Sequence, residues 1–362
     1  MMPEISQRRV KRVLVYRLGS MGDTIVALPS LRLVAQAFPK AQRWMLTNFR
    51  VSEKAVPMAQ LLENTGLIHG YIQYPLKLSN PCVLAALLRR IRSMRPEIMV
   101  YLAEPRGLIQ ILRDVIFFKL CGIQKLIGVP YMGTLQRPAR MANDSYEYVG
   151  SRLLRCLQSL GKFNIKDPSA FDLYLTPFEH ASAETALKSI GINRSFIAAS
   201  IGAKVDVKDW GDENWSLLFA KLGRELKGWS LVMVGSADER KRTSQVLRSW
   251  PGNSLNLCGQ LSVRESAAVL SLAHTYVGHD SGPMHLAAAA GTTCVAIFSS
   301  RNMPGEWFPP GDRHTLLYRT VSCMGCRREV CEDLNKRCIQ SISVDEVFGH
   351  VLRVLNTECP SN

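Results

Sequence analysis

Short apolar runs rich in branched and aromatic residues alternate with longer amphipathic segments along the whole chain. In the first half, runs near 13–18, 43–48, 97–103 and 125–129 read as strands, and the segments near 24–38, 82–93, 107–120 and 145–160 carry helical spacing. Such alternation predicts parallel strands joined by right-handed helical crossovers. The second half repeats it, with strands near 196–201, 230–234, 275–278 and 294–298 and helices near 178–190, 213–226, 238–249, 263–272 and 283–290. Between the two series lies a polar stretch, Lys162 to Pro177, containing Asp167-Pro168 and Thr176-Pro177. The reading is two doubly wound α/β domains, 1–170 and 171–342, followed by a last helical pattern in 343–362.

Two strand-to-helix junctions carry the candidate chemistry. In residues 277–291 an apolar strand runs through His279-Asp280-Ser281-Gly282-Pro283 into an alanine-rich helix. Asp280 and Ser281 are N-cap residue types and Pro283 suits a first helical turn. Such an end offers unpaired N–H groups and a positive dipole, which together bind phosphate; a capped core helix is the plain alternative. The other junction follows strand 13–18, where Gly19-Ser20-Met21-Gly22-Asp23 turns into a helix that Pro39 stops. The glycines permit a tight turn and close ligand approach, leaving the Asp23 carboxylate either to cap the helix or to face a cleft. Open parallel sheets bind ligands beyond the carboxyl ends of their strands, so facing domains would set both junctions across one cleft.

Charge is uneven. Of the net +15, residues 1–180 hold 25 Lys and Arg against 12 Asp and Glu, with Arg89, Arg90, Arg92 and Arg95 clustered and Arg106 and Arg113 close behind. A solvated basic face, a nucleic-acid surface and a docking face for anionic lipid or glycolipid compete; the absence of a recognisable nucleic-acid-binding module disfavours the second. Met1 to Arg12 has no apolar core of a secretory signal, and no apolar run reaches membrane-spanning length, so a cytoplasmic or peripheral protein is expected. Cys323, Cys326, Cys331 and Cys338 could close one tetrahedral structural Zn or Fe site, or remain reduced, buried thiols. The turn after the first strand lacks the full G-x-G-x-x-G fingerprint and no Walker A lysine motif is present, which disfavours an oxidoreductase, an epimerase or an NTPase.

Three motifs in order, Arg17-Leu-Gly-Ser-Met-Gly-Asp23 with Ala27-Leu-Pro-Ser-Leu-Arg32 and Ala37-Phe-Pro39, then Ser200-Ile-Gly-Ala-Lys204 with Lys208-Asp-Trp210 and Trp215, then Asp280 to His285, resemble glycosyltransferase family 9. That family contains the bacterial lipopolysaccharide heptosyltransferases. His279 stands where an asparagine often precedes the aspartate. The resemblance implies a GT-B-like α/β fold, two Rossmann-like domains facing a central cleft, with the C-terminal helix packing back on the N-terminal domain. It implies an inverting, metal-independent transfer of a heptose or related sugar from a nucleotide diphosphate such as ADP-heptose to a lipopolysaccharide-core or other glycan acceptor at the inner face of the cytoplasmic membrane. It implies that no cofactor is required for catalysis, and no nucleic-acid partner is expected. Asp23 would be the acceptor base, with Arg17, Ser20, Met21, Gly22 and Arg106 around the acceptor. The diphosphate would sit at Ser281, Gly282, Pro283 and Met284, with Lys208 and Lys204 adding charge and Ser200 and Gly202 nearby. Asp280 would cap the helix or orient a hydroxyl, and His285 would contact phosphate or pack on the helix. Glu239, preferred over Asp238, would hold the ribose. A nucleotide-sugar oxidoreductase or epimerase and a non-catalytic nucleotide-sugar-binding protein are the rival readings.

Overall fold

A computed structural model describes residues 10–48, 58–75, 80–142, 144–191 and 195–358. The chain divides into two compact units, Met1–Asp172 and Leu173–Asn362. The division falls inside the polar stretch between the two strand series.

The first unit is a five-stranded, all-parallel sheet of β1 (Arg12–Tyr16), β2 (Gln42–Thr47), β3 (Gly70–Gln73), β4 (Ile98–Tyr101) and β5 (Lys125–Ile127), in the order β3-β2-β1-β4-β5. Both long-range crossover helices of its second half, Pro81–Met94 and Leu108–Leu120, bury apolar side chains on one sheet face: Leu87, Ile91, Ile111 and Phe118 join Leu14, Tyr16, Met99 and Tyr101 in one core. The chain winds outward from β1 to β3, then returns to the other side of β1 at β4. This reversal lies between β1 and β4 and leaves a crevice at their carboxyl ends.

The second unit has six parallel strands, β6 (Phe196–Ser200), β7 (Ser230–Met233), β8 (Ser254–Asn256), β9 (Thr275–His279), β10 (Cys294–Ile297) and β11 (Thr315–Leu317), in the order β11-β10-β9-β6-β7-β8. Its reversal lies between β6 and β9. The pattern reading missed β3, β8 and β11, each an outermost strand of three or four residues. A run that short carries too few alternations to register as a strand.

The C-terminal helix corrects the domain reading. Val344–Glu358 belongs to the second unit, where Val347, Val351, Val354 and Leu355 enter the core formed by Trp215, Leu218, Phe219, Val277 and Val295. Val347 and Val351 are wholly buried, and each such burial contributes roughly 1.5–3 kcal/mol. The helix is therefore part of that unit's hydrophobic core, and no boundary falls at residue 342. Among the described residues no helix is long and apolar enough to cross a membrane.

Candidate functional site

The candidate residues of the first unit sit at its β1/β4 reversal. Ser20 precedes the helix Met21–Ala37, and the Asp23 carboxylate closes back on it: Oδ2 accepts from the Ser20 backbone N–H at 2.7 Å and from the Ser20 hydroxyl at 2.7 Å. Asp23 thus caps the helix with one oxygen. Its other oxygen, Oδ1, lies 3.7 Å from the Arg17 guanidinium, and the side chain is 22% exposed. The capping role thus leaves the second oxygen of the same carboxylate uncommitted to the cap.

Arg17 is not at the surface. Its side chain is fully buried, donating to the carbonyls of Leu102 (2.7 Å) and Asp23 (2.6 Å) and lying 3.7 Å from Glu104. It cannot touch an acceptor in this arrangement; it ties the end of β4 to the turn that carries Asp23. Glu104 also accepts from the buried Arg152 at 3.1 Å. Asn48 makes two hydrogen bonds to Gly19, donating to its carbonyl and accepting from its N–H. Sequence reading missed Asn48, Glu104 and Arg152, since they come from the ends of β2 and β4 and from the helix Val149–Cys156, and no local motif marks them. Ser20 and Met21 are partly exposed, Gly22 is buried, and Arg106 is exposed beyond β4.

Gly19 is the position where the turn demands glycine. Its φ is +147°, and an added Cβ would stand 2.4 Å from the Asp23 Cβ and 2.6 Å from its Cγ. Gly19→Ala is expected to push the Asp23 carboxylate aside and lower kcat by a factor on the order of 10², the cost of a displacement near 1 Å. Steady-state kinetics together with a thermal melt check this; unaltered kcat would show that the carboxylate's placement is not critical.

The candidate residues of the second unit sit at its β6/β9 reversal. The helix Gly282–Ala289 starts after Ser281, whose side chain makes no capping bond, and Pro283 has no N–H to offer. Asp280 does not cap this helix. Its Oδ2 pairs with the Lys208 ammonium at 2.6 Å, its backbone carbonyl accepts from the same ammonium at 3.2 Å, and Oδ1 lies 3.7 Å from His285 Nε2. Burial alone would raise this carboxyl's pKa, but Lys208 and His285 outweigh it and hold the group well below the usual carboxylate range. The Lys208 side chain is 15% exposed, so a largely buried cation meets the positive end of a helix with Asp280 as counter-charge. His285 Nδ1 is buried without a hydrogen-bond partner among the described residues, and the buried Ser281 hydroxyl lies beside that same uncapped end.

Other candidates take different places. The Ser200 hydroxyl is spent on the buried Tyr276 phenol, 2.5 Å away, so it is a core contact and not a surface group of the site. Met284 is fully buried, so its side chain is a core contact. Lys204 is exposed. Glu239 is half-buried and Asp238 exposed; Glu239 Oε2 accepts from the Ser236 N–H at 2.9 Å. A Cβ on Gly202 would stand 1.8 Å from Glu239 Oε1, so the carboxylate lies directly against the loop leaving β6.

His279 and the Lys208 loop are joined by contacts that spacing did not reveal. The Trp210 N–H donates to His279 Nε2 at 3.0 Å, which puts the ring proton on Nδ1, facing the Gly202 carbonyl at 3.5 Å. Trp210 and Trp215 are both wholly buried, and the Trp210 indole donates to the Ile342 carbonyl at 2.9 Å. Asp209 pairs with Arg242 at 2.8 Å and clamps the loop from the other side. Burial lowers the His279 pKa to about 4. Because the unfolded chain binds this proton below about 6.5 and the folded one only below about 4, stability is expected to fall as pH drops from 6.5 to 4, by up to about 3 kcal/mol. Urea melts at pH 7 and pH 5 measure it, and His279→Gln should flatten the difference; an equal pH slope in that variant assigns the effect elsewhere.

Cys323, Cys326, Cys331 and Cys338 line one pocket with Val207, Ser300 and Arg328. They are free thiols, and burial pushes the Cys338 thiol up. As arranged, no group of three His, Cys, Asp or Glu among the described residues could hold a metal ion. Val207 lies one residue from Lys208, so this pocket backs onto the loop that carries the lysine.

Comparison with known proteins gives this geometry a lineage. Residues 155–336, half of the chain, match the model of glycosyltransferase family 9 (heptosyltransferase). Lipopolysaccharide heptosyltransferase 1 of Pseudomonas aeruginosa is 24% identical over 88% of this chain and 87% of its own length. Matches to three other curated heptosyltransferases span only 35% to 51% of those proteins. A glycosyltransferase family 9 structure from Veillonella parvula superposes with a TM-score of 0.75 at 19% identity, covering 96% of this chain and 98% of that one. E. coli ADP-heptose lipopolysaccharide heptosyltransferase II does so with a TM-score of 0.66 at 16% identity, covering 96% and 99%. The two parallel α/β sheets are those of the GT-B fold seen in these structures. With the family model matching across half its length and the fold matching across nearly all of it, the chain belongs to glycosyltransferase family 9.

Proposed function

We propose that this glycosyltransferase transfers a heptose, with inversion, from a nucleotide diphosphate donor such as ADP-heptose to a lipopolysaccharide-core or related glycan acceptor. The observation that carries the reading is the Lys208–Asp280 pair set at an uncapped helix N-terminus on the β6/β9 reversal. A departing diphosphate accumulates negative charge, and a fixed cation plus unpaired N–H groups stabilise it where water is excluded. Asp280 keeps the ammonium aimed at that end, and His285 Nδ1 and Ser281 offer further polar groups.

Asp23 is the base of this reading. Its Oδ1 takes the proton of the acceptor hydroxyl as that oxygen bonds to the anomeric carbon, while the bond from that carbon to the diphosphate oxygen breaks and the electron pair leaves with the diphosphate. Glu239 accepts the ribose hydroxyls with Oε1, since Oε2 is held by Ser236. The donor similarity supports ADP as the nucleotide: the E. coli relative is an ADP-heptose heptosyltransferase. The acceptor would be lipid-linked at the inner face of the cytoplasmic membrane, met by the basic first unit.

The chemistry as written uses no metal, so turnover is expected to persist in EDTA; loss of activity restored by added divalent cation would show otherwise. The reading itself is tested by incubating the protein with ADP-heptose and a heptose-deficient lipopolysaccharide core. Release of ADP with a mass gain of one heptose on the acceptor is the expected result. Failure to transfer from ADP-heptose, with transfer from a UDP or GDP sugar, would overturn the donor assignment.

A further inference from the structure

The helix Leu108–Leu120 turns two faces in opposite directions. Ile111, Asp114 and Phe118 are buried against the sheet, whereas Leu108, Ile109, Leu112, Ile116 and Leu120 are 44–81% exposed. At 100° per residue, positions 109, 112, 116 and 120 fall on one stripe about three turns long. Single exposed aliphatic residues are ordinary, but a continuous stripe on one helix marks a contact surface.

Its surroundings are basic. Arg106 precedes the helix, while Arg113 and Lys119 lie on it. The neighbouring helix on the same sheet face, Pro81–Met94, is exposed at Arg89, Arg90 and Arg92. Across both helices the one acidic residue is Asp114, which is buried and bonded to Tyr101 and Arg113. The helix also begins four residues after Glu104, at the sheet end that carries Asp23 and Arg17. Tyr131 and Met132, in the segment after β5 at that same end, are exposed as well.

We infer that this face docks on an anionic lipid bilayer, with the Leu108–Leu120 stripe entering the headgroup boundary and the arginines of Pro81–Met94 meeting lipid phosphates. An apolar stripe flanked by Lys and Arg is the pattern of a helix lying in a membrane interface. A second copy of the chain fits less well, because pairing two such faces would set arginine against arginine with no carboxylate to compensate. The inference rests on the lipid-linked acceptor proposed above for its purpose, but binding itself needs neither donor nor acceptor.

The test is co-sedimentation of the purified full chain with vesicles of phosphatidylcholine alone and with vesicles containing phosphatidylglycerol. Binding is expected only to the anionic vesicles and to weaken as salt rises. The Ile109→Ser/Ile116→Ser variant should lose at least roughly tenfold in partitioning. Arg89→Gln/Arg90→Gln/Arg92→Gln should weaken binding and flatten its salt dependence. Both variants should keep wild-type melting temperatures and wild-type kinetics on a soluble, deacylated acceptor while losing rate on vesicle-bound acceptor. Equal vesicle binding by the isoleucine variant, absence of binding to anionic vesicles, or a wild-type dimer that the isoleucine variant abolishes would each overturn the inference. Inactivity on the soluble acceptor with intact vesicle binding would instead count against the proposed reaction and leave the docking surface standing.

Discussion

Asp23→Asn is expected to lower turnover by a factor on the order of 10² to 10⁴ while donor binding stays intact. The structure makes this a clean substitution. Asparagine keeps an oxygen that can accept from the Ser20 N–H, so the helix cap survives in large part, and losing its charge should cost no more than about 1 kcal/mol of stability. What is lost is the proton acceptor at Oδ1, the oxygen that Ser20 leaves uncommitted. Single-turnover rates with saturating donor, measured beside a thermal melt, separate the two effects. Turnover within a few-fold of wild type would confine Asp23 to capping the helix.

Lys208→Ala is expected to slow transfer and weaken nucleoside diphosphate binding together, by roughly 2–4 kcal/mol in the transition state. A second consequence follows from the 2.6 Å pair: removing the ammonium leaves the Asp280 carboxylate buried without its counter-charge. Breaking a buried pair in this way destabilises by roughly 3–5 kcal/mol, so a loss of activity could reflect unfolding alone. The control is Lys208→Met/Asp280→Asn, which removes both charges and should recover most of the stability without recovering transfer. Wild-type transfer in that double variant would show that the pair serves the fold and that the diphosphate is held by the helix terminus without the lysine.

The candidate groups of the two units share one design. In each unit the chain reverses direction at its first strand, and the residues with chemical capability gather at the carboxyl end of that strand: Asp23 after β1, Lys208 after β6 with Asp280 after β9. The helix that follows each junction presents its N-terminus there. In the first unit a carboxylate closes that terminus, as Asp23 does with Ser20; in the second the terminus is left open and the carboxylate is turned to a lysine. One terminus is thereby closed by its own carboxylate, and the other is left open beside a cation.

The alternation of apolar runs with helical spacing was enough by itself to determine two doubly wound parallel units, because strand and helix periodicities are local properties that each segment carries in its own residues. The turn Gly19–Asp23 and the segment Asp280–His285 were legible for the same reason: tight turns and helix starts need particular residues at particular positions. Partnership was not legible. That Lys208 would meet Asp280 across 72 positions, that Arg17 would be buried beneath Asp23 and not exposed to an acceptor, and that Ser200 would turn inward to Tyr276 depend on which strands become neighbours. The same holds for His279, whose ring joins the Trp210 and Gly202 segments, and for the C-terminal helix, whose valines fit the second unit's core. Strand order and side-chain packing are settled by contacts between segments far apart in the chain, and a window of ten or fifteen residues holds no record of them.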